Sequence, residues 1–278
     1  MGRIAVLLTF SIVALAATPA RAQCTFDWKP GMGVPGVNGA VYALTSWDPD
    51  GPGPKEQLLV VGGSFSYAEV TPASSIAAWD GVSWHSLGLG IGAVDFAPGY
   101  VATVYAMIVY NGDLVVAGGF DRAGGEVVGG IARWNGKSWS SLGTGLNGIV
   151  RSMVVFNGNL IVGGTFTSAG GVNAARVARW DGNTWQPLGS GLGSSTYVDS
   201  VLSLAVFNGN LVAAGTYGVN VQQWNGTSWQ LVGSGLELSI FPPQLAVKAL
   251  IQFGSSLVAT GFFDRAGGAP AKYLEPVS

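Results

Sequence analysis

Short runs of apolar residues, seven or eight positions long, alternate with turn residues along nearly the whole chain from about residue 41. Glycine, Asn-Gly or Asp-Gly closes most of these runs, and none continues with the spacing of an amphipathic helix. Apolar runs of this length between turn signals are typical of buried strands. After the first 22 residues the sequence therefore predicts an all-β fold.

Two of these segments recur together five times. The first has the pattern Val-x-small-Leu/Met-x-x-aromatic and begins at Val41, Val104, Val150, Val201 and Val247. The second follows it and ends in Gly-x-aromatic, as in Gly118-Gly119-Phe120. In three units the two are joined by Asn-Gly, which favours a type I′ hairpin turn because both turn residues need a positive φ. The pair is predicted to form a β-hairpin.

A second hairpin carries two tryptophans five positions apart around Asp-Gly or Asn-Gly. It occurs four times, over residues 76–84, 131–139, 177–185 and 221–229. The first turn residue alternates between Asp80, Asn135, Asp181 and Asn225. A turn residue tolerates that exchange of acid for amide, whereas a catalytic carboxylate does not. Because each Trp can bury a large rigid surface, we predict that Trp134 and Trp180 lie in the core.

Each unit of about 45 residues is therefore predicted to be a four-stranded antiparallel meander. Such a sheet has two apolar faces that need neighbours, and radial stacking of sheets gives a β-propeller with typically 4–8 blades. A β-sandwich is the alternative, but it does not explain why one unit repeats with fixed turn residues. We predict a single propeller domain over residues 23–278.

The fifth unit begins at Val247 and leaves the pattern after residue 274. Near the other end, TFDWKPGMG (25–33) resembles KSWSSLGTG (137–145), with Trp28 at the second Trp position. The N-terminal strand is thus predicted to complete the last blade and close a ring of five. A fragment of a larger propeller is the alternative.

The units resemble a known repeat family. The run NGNLIVGGTFTSAGG (157–171), followed by VARWDGNTWQPLGSGL (177–192), is similar to kelch-type propeller repeats, the group that includes the galactose oxidase propeller. It resembles in particular repeats of bacterial secreted proteins and the related propeller of fungal cortical-marker proteins. The likeness covers residues 26–274 and implies a fold, not an activity, because propellers host many functions.

The first 22 residues have the layout of a secretory signal peptide. A short basic start is followed by a 14-residue, predominantly apolar stretch (4–17) and by Ala-Arg-Ala before Gln23. This apolar stretch is shorter than the roughly 20 residues of a membrane-spanning helix. We predict cleavage between Ala22 and Gln23, no membrane insertion, and a protein that is secreted, periplasmic or held at the cell surface.

The net charge and the single cysteine and histidine exclude several classes of partner and cofactor. The chain has 13 basic and 15 acidic residues, and removal of Arg3 and Arg21 leaves 11 against 15, a net charge of −4. Nucleic acid and anionic membranes favour clustered cations, so neither is an expected partner. Cys24 is the only cysteine and His85 the only histidine, so we expect no metal or other cofactor. We expect a monomer.

Paired carboxylates, the requirement of a glycosidase, are missing where a propeller would place them. The five first-strand segments, excluding their turns, contain no Asp or Glu. Five acids lie instead in the variable loops after the second and fourth strands, and the five do not share one position of the repeat: Asp95, Asp121, Asp199, Glu237 and Asp264. We therefore predict no catalytic residues and a secreted binding or scaffold module for a glycan, the cell envelope or a protein. A carbohydrate-active hydrolase or lyase that uses loop carboxylates is the alternative.

The loops that follow the second and fourth strands vary most in length and composition, and in a propeller they lie on one face. Aromatic rings can stack on sugars, and guanidinium groups can pair with carboxylates. The predicted ligand-binding residues on this face are Tyr100, Arg122, Tyr197 and Arg265.

Overall fold

Hairpins built from the first two strands of each repeat form the inner part of the fold. The structure is a computed structural model that describes residues 36–93, 100–193, 199–216, 219–238, 246–271 and 274–277. The first strands are β1 (Ala40–Trp47), β8 (Thr103–Tyr110), β14 (Val150–Phe156), β20 (Val201–Phe207) and β25 (Ala246–Phe253). The second strands are β2 (Leu58–Ser64), β9 (Asp113–Gly119), β15 (Asn159–Gly164), β21 (Asn210–Gly215) and β26 (Ser256–Phe262). Asn111, Asn157 and Asn208 have φ values of 53°, 49° and 49°, which confirms the predicted turn chemistry.

The tryptophan hairpins complete four sheets. Their third strands are β5 (Ile76–Trp79), β12 (Ile131–Trp134), β18 (Val177–Trp180) and β22 (Val221–Trp224). The fourth strands are β6 (Trp84–Ser86), β13 (Trp139–Ser141), β19 (Trp185–Pro187) and β23 (Trp229–Leu231). Each sheet is an antiparallel meander in the order first, second, third, fourth, as in β1-β2-β5-β6. The all-β, four-stranded arrangement is thereby confirmed.

The fifth sheet has three described strands, in the order β25-β26-β29, where β29 spans Leu274–Val277. The segment 25–33, which we predict as its fourth strand, lies outside the described residues, and so do the first 22 residues, which we predict to be a signal peptide. Within the described part of the chain no helix is long and apolar enough to cross a membrane.

Two-residue strands organise the loops. They are β3 (Tyr67–Ala68), β4 (Thr71–Pro72), β7 (Ile91–Gly92), β10 (Arg122–Ala123), β11 (Glu126–Val127), β16 (Ser168–Ala169), β17 (Val172–Asn173), β24 (Leu236–Glu237), β27 (Arg265–Ala266) and β28 (Ala269–Pro270). β7, which follows the first sheet, pairs with β10 of the second, and β24 pairs with β27 in the same way. The loop that leaves one sheet is therefore hydrogen-bonded to a small hairpin of the next.

The sheets pack radially, as in a β-propeller. Each first strand contacts the first strand of the next sheet, from β1 through β8, β14 and β20 to β25. The buried apolar clusters lie between neighbouring sheets; one of them joins Val60 of the first sheet to Val104 and Leu114 of the second. Because the same strand of every sheet lies innermost, the sheets are blades around a common axis.

In three of the four hairpins the second Trp ties its sheet to the preceding one. The indole Nε1 groups of Trp139, Trp185 and Trp229 donate to the carbonyls of Leu87, Leu142 and Leu188, at 2.8, 2.7 and 3.2 Å. The first Trp packs against the second, with ring centroids 5.2–5.4 Å apart in all four hairpins. Trp134 and Trp180 are 8% and 7% exposed, which confirms that they belong to the core.

The two end sheets differ from the middle ones in what covers them. Leu59 of the first sheet is 44% exposed, whereas its equivalents are buried: Leu114, Leu160, Leu211 and Leu257. Leu44 is 63% exposed, and on the fifth sheet Phe253 is 79% exposed. The face of the first sheet that points away from the second, and the corresponding outer face of the fifth, have no sheet packed on them among the described residues. A closed ring of five blades therefore stays a prediction.

Candidate functional site

Every inner hairpin contains one β-bulge, and the five bulges occupy equivalent positions. The register of each first strand with its second strand skips one residue, as between Val41 and Ala43. A bulge leaves that residue out of the ladder and changes the direction of its side chain. The skipped residues, which we call the bulge row, are Tyr42, Tyr105, Arg151, Leu202 and Lys248.

Side chains of the bulge row contact one another across neighbouring blades. The rings of Tyr42 and Tyr105 have centroids 5.4 Å apart and are tilted by 47°. The guanidinium carbon of Arg151 lies 4.1 Å from the centre of the Tyr105 ring, a cation–π geometry. At the other end of the row, the Lys248 ammonium lies 5.6 Å from the ring of Phe262. The row thus joins aromatic and cationic groups along the innermost strands.

Accessibility differs along the row. Tyr42 is 55% exposed and Lys248 is exposed, while Tyr105, Arg151 and Leu202 are half-buried. The Nε atom of Arg151 is buried and has no hydrogen-bond partner within the described residues. The exposed members can therefore meet a ligand directly, and Nε of the arginine between them has no acceptor in the described part of the chain.

Tyr100, a predicted binding residue, lies next to this row. Burial is the main cause that raises the pKa of its hydroxyl; Tyr105 raises it further and the charge of Arg151 opposes the shift. Its hydroxyl also lies against Gly119, where a Cβ atom would collide with it. Tyr100 is thus placed in the electrostatic environment of Tyr105 and Arg151.

The other predicted residues are located elsewhere. Arg122 and Arg265 occupy equivalent positions in β10 and β27, and each donates through Nη1 to a glycine carbonyl of its own hairpin, Gly125 or Gly268, at 3.4 Å. They tie down the loops that carry them. Tyr197 lies outside the described residues.

The predicted loop acids have backbone contacts that fix the segments carrying them. Asp199 is buried, and its carbonyl accepts a bond from Arg176 Nε at 3.4 Å. Asp121 and Asp264 occupy equivalent hairpins, and their backbone N–H groups donate to Gly92 and Glu237. Asp95 lies outside the described residues. No group of three or more His, Cys, Asp and Glu side chains suited to a metal occurs among the described residues.

His85 lies beside two polar side chains of the turn that precedes it. Its Nε2 lies 2.6 Å from Asp80 Oδ2 and 3.1 Å from Ser83 Oγ. The only histidine of the sequence therefore contacts both a carboxylate and a hydroxyl. However, a catalytic triad uses one imidazole nitrogen for the hydroxyl and the other for the carboxylate, whereas here both approach Nε2.

The Asp80 group is instead a turn cap. Asp80 Oδ1 accepts bonds from the N–H groups of Val82 and Ser83, at 2.8 and 2.7 Å. The bond from His85, followed by those two backbone bonds, lowers the pKa of Asp80 well below its usual value. Asp181 of the third blade makes the same backbone contacts, and Gln186 takes the place of the histidine.

The bulge row was missed from sequence because its positions appear there only as the variable residue after Val in each first strand. Aromatic or cationic residues occupy four of these five positions, at Tyr42, Tyr105, Arg151 and Lys248. Such side chains directly after the repeated Val, in strands whose other positions before the final aromatic residue are mostly small or aliphatic, were the available signal.

Comparison with known proteins gives structural neighbours only. No protein family model matches the chain, and no curated protein matches it. Among solved structures it is similar to the extracellular domain of a hybrid two-component system of B. thetaiotaomicron, with 12% identity, 79% of this chain and 26% of that chain covered, and a TM-score of 0.48. It is also similar to the WD40 β-propeller domain of Doa1, with 11% identity, 81% of this chain and 77% of that chain covered, and a TM-score of 0.37. For the computationally designed Ika8 protein the identity is 15%, the coverage is 79% of this chain and 67% of that chain, and the TM-score is 0.37. The chain spans about a quarter of the length of the first of these, and the propeller assignment rests on the strand order and blade packing above.

Proposed function

We propose that the protein is a secreted, non-enzymatic propeller that serves as a binding or scaffold module for a glycan, a cell-envelope component or another protein. The bulge row is the observation that carries this proposal. Five equivalent positions of one scaffold hold side chains of different chemistry, and the exposed members are an aromatic ring and an ammonium group. Variation of this kind on a constant framework is typical of binding surfaces.

Three further points belong to the proposal. The repeats are of the kelch type, on the motif similarity of residues 157–192. The chain is exported after cleavage between Ala22 and Gln23, on the layout of its first 22 residues. It acts as a monomer, and its overall negative charge disfavours nucleic acid as a partner.

A glycan array tests the proposal, supported by pull-down from cell-envelope extract with the mature chain as bait. We expect retention of a defined glycan or envelope component, and loss of that ligand in a Tyr42→Ala/Lys248→Ala variant, since both side chains are exposed. A variant with Ala at Tyr100, Arg122, Tyr197 and Arg265 tests the loop face in parallel.

Two results would contradict the proposal. The first is no retained ligand in either format. The second is turnover of a polysaccharide that is lost in Asp95→Asn or Asp199→Asn, which would establish the alternative, a carbohydrate-active hydrolase or lyase that uses loop carboxylates.

A further inference from the structure

Building on the proposed function, we infer that the bulge row binds an acidic glycan, a sugar chain that carries carboxylate or sulfate groups. The aromatic members supply apolar faces for the sugar rings, and the cationic members pair with the acidic groups. The inference depends on the chemistry of four side chains: Tyr42, Tyr105, Arg151 and Lys248.

The local charge of the innermost strands is opposite to that of the chain. The protein has a formal net charge of −2. The strands β1, β8, β14, β20 and β25 contain no Asp or Glu, and their only formal charges are Arg151 and Lys248. A surface with one sign of charge and no internal counter-ion attracts the opposite charge. The ligand of this surface is therefore expected to be anionic.

Arg151 is distinguished from the other described arginines by its contacts. Five of them donate to a protein oxygen: Arg122, Arg133, Arg176, Arg179 and Arg265. The Nε atoms of Arg122, Arg151 and Arg179 all lack an acceptor, but for Arg151 no hydrogen bond from the Nη groups to a protein oxygen occurs among the described residues either, and its contact is with the face of Tyr105. The guanidinium carbon lies 4.1 Å from the ring centre, and the two Nη groups of an arginine form an N–H edge. That edge matches the two oxygens of a carboxylate or a sulfate.

The tyrosines identify the rest of the ligand as a sugar chain rather than a small inorganic anion. The exposed Tyr42 ring and the Tyr105 ring lie side by side on neighbouring blades. Flat, rigid rings that have a polar hydroxyl tip suit a ligand with apolar C–H faces and a polar rim. A pyranose has both. A neutral sugar would use the tyrosines but would leave the unpaired guanidinium without a role.

Isothermal titration calorimetry on the mature chain tests the inference with paired probes. Hexagalacturonate is compared with its fully methyl-esterified, neutral form, and dextran sulfate with dextran of the same length. We expect at least one acidic probe to bind and its neutral counterpart to bind at least about tenfold more weakly, since hydrogen bonds to charged groups contribute about 1.5–3 kcal/mol. The two acidic probes distinguish carboxylate from sulfate as the recognised group.

Variants locate the site. Arg151→Ala should weaken binding of the acidic probe at least about tenfold, and Arg151→Lys should weaken it less, because the charge stays while the planar fork is lost. Arg179→Ala is the matched control: the same residue type, also half-buried and in the same blade, but on β18 and paired with Gln186. Lys248→Ala, at an exposed position, should weaken binding without any effect on folding.

The inference is overturned if neither acidic probe binds more tightly than its neutral counterpart, or if Arg151→Ala and Lys248→Ala bind as wild type does. Equal losses in Arg151→Ala and Arg179→Ala would also overturn it. In each of these cases a ligand retained on the glycan array would still support the proposed binding function, so the two failures are distinguishable.

Discussion

The outer tryptophan hairpin and the bulge of the inner hairpin both recur from blade to blade. They differ in which features stay constant between blades. Each described hairpin keeps its pair of tryptophans at the same ring separation, and three of the four donate to the preceding blade in the same way. The bulge keeps its position but changes its side chain from Tyr to Arg, Leu and Lys. Constant contacts hold the blades together, and the position that varies is free to recognise something else.

A comparison between blades also explains the role of the polar side chains around His85. Taken alone, Asp80, Ser83 and His85 resemble the parts of a hydrolase. The third blade places Thr184 and Gln186 around Asp181 at the same positions. Because an amide cannot do the work of an imidazole, the shared function of these groups is to stabilise the turn.

The largest effect should come from the tryptophan that links two blades. We expect Trp185→Ala to lower the free energy of unfolding by about 3–5 kcal/mol, because a large buried side chain is lost together with its bond to Leu142. Trp84→Ala, in the less covered first blade, should cost less, about 1–2 kcal/mol. Urea unfolding followed by circular dichroism measures both. Equal costs would mean that Trp84 is as well covered as Trp185, and that a further blade packs on the first.

A smaller effect is expected at the turn between Trp134 and Trp139 of the second blade. Asn135 Oδ1 accepts bonds from the N–H groups of Lys137 and Ser138, both at 2.9 Å. Asn135→Ala should cost about 1 kcal/mol, as loss of a capping side chain does, whereas Asn135→Asp should be nearly neutral because Asp occupies this turn in two other blades. Thermal unfolding of the two variants checks this. An Asp variant as unstable as the Ala variant would contradict the turn interpretation.

In the first blade the position of Asn135 is occupied by Asp80, and this acid should make the stability of the fold depend on pH. The pKa of Asp80 is lowered in the folded state by the bond from His85 and by backbone bonds. A lowered pKa means that the ionised group stabilises the fold above its unfolded pKa, near 3.8, and that this contribution is lost as the pH falls through the folded value. Wild type should therefore lose stability below about pH 4 more steeply than Asp80→Asn. Denaturant midpoints from pH 5 to pH 2 measure the difference, and parallel curves would contradict the prediction.

The smallest effect on stability should come from the bulge row. Lys248 is exposed, and its ammonium has a single aromatic contact at a distance of 5.6 Å. Lys248→Ala should change the free energy of unfolding by less than about 0.5 kcal/mol, as is usual for exposed positions. Chemical unfolding of this variant beside wild type is the measurement. A loss of several kcal/mol would assign the row to the framework and remove its distinction from the outer hairpins.

The turns and the core could be read from sequence because they depend on local chemistry. Asn-Gly fixes its own backbone angles, as at Asn157, and a Trp that repeats at fixed spacing belongs to a repeating interface. The bulges could not be predicted from sequence. One residue that drops out of the strand pairing leaves the alternation of residue types along the strand almost unchanged. Arg122 and Arg265 were correctly placed in loops, but a sequence does not reveal that each donates to its own hairpin. Tyr100 is found near the bulge row because its environment depends on contacts with residues far along the chain.

Among the described residues no sheet packs on the outer faces of the first and fifth sheets, and the residues on these faces have an evolutionary consequence. Leu44 and Leu59 at one end, and Phe253 at the other, belong to the same contact pattern that joins each blade to the next. An interface repeated in this way accepts a duplicated unit without redesign of its neighbours, and each added unit contributes its own coupling energy to the array. Tandem duplication and deletion at the level of the gene can therefore change the number of blades while the rest of the domain, including the bulge in each first strand, is inherited intact.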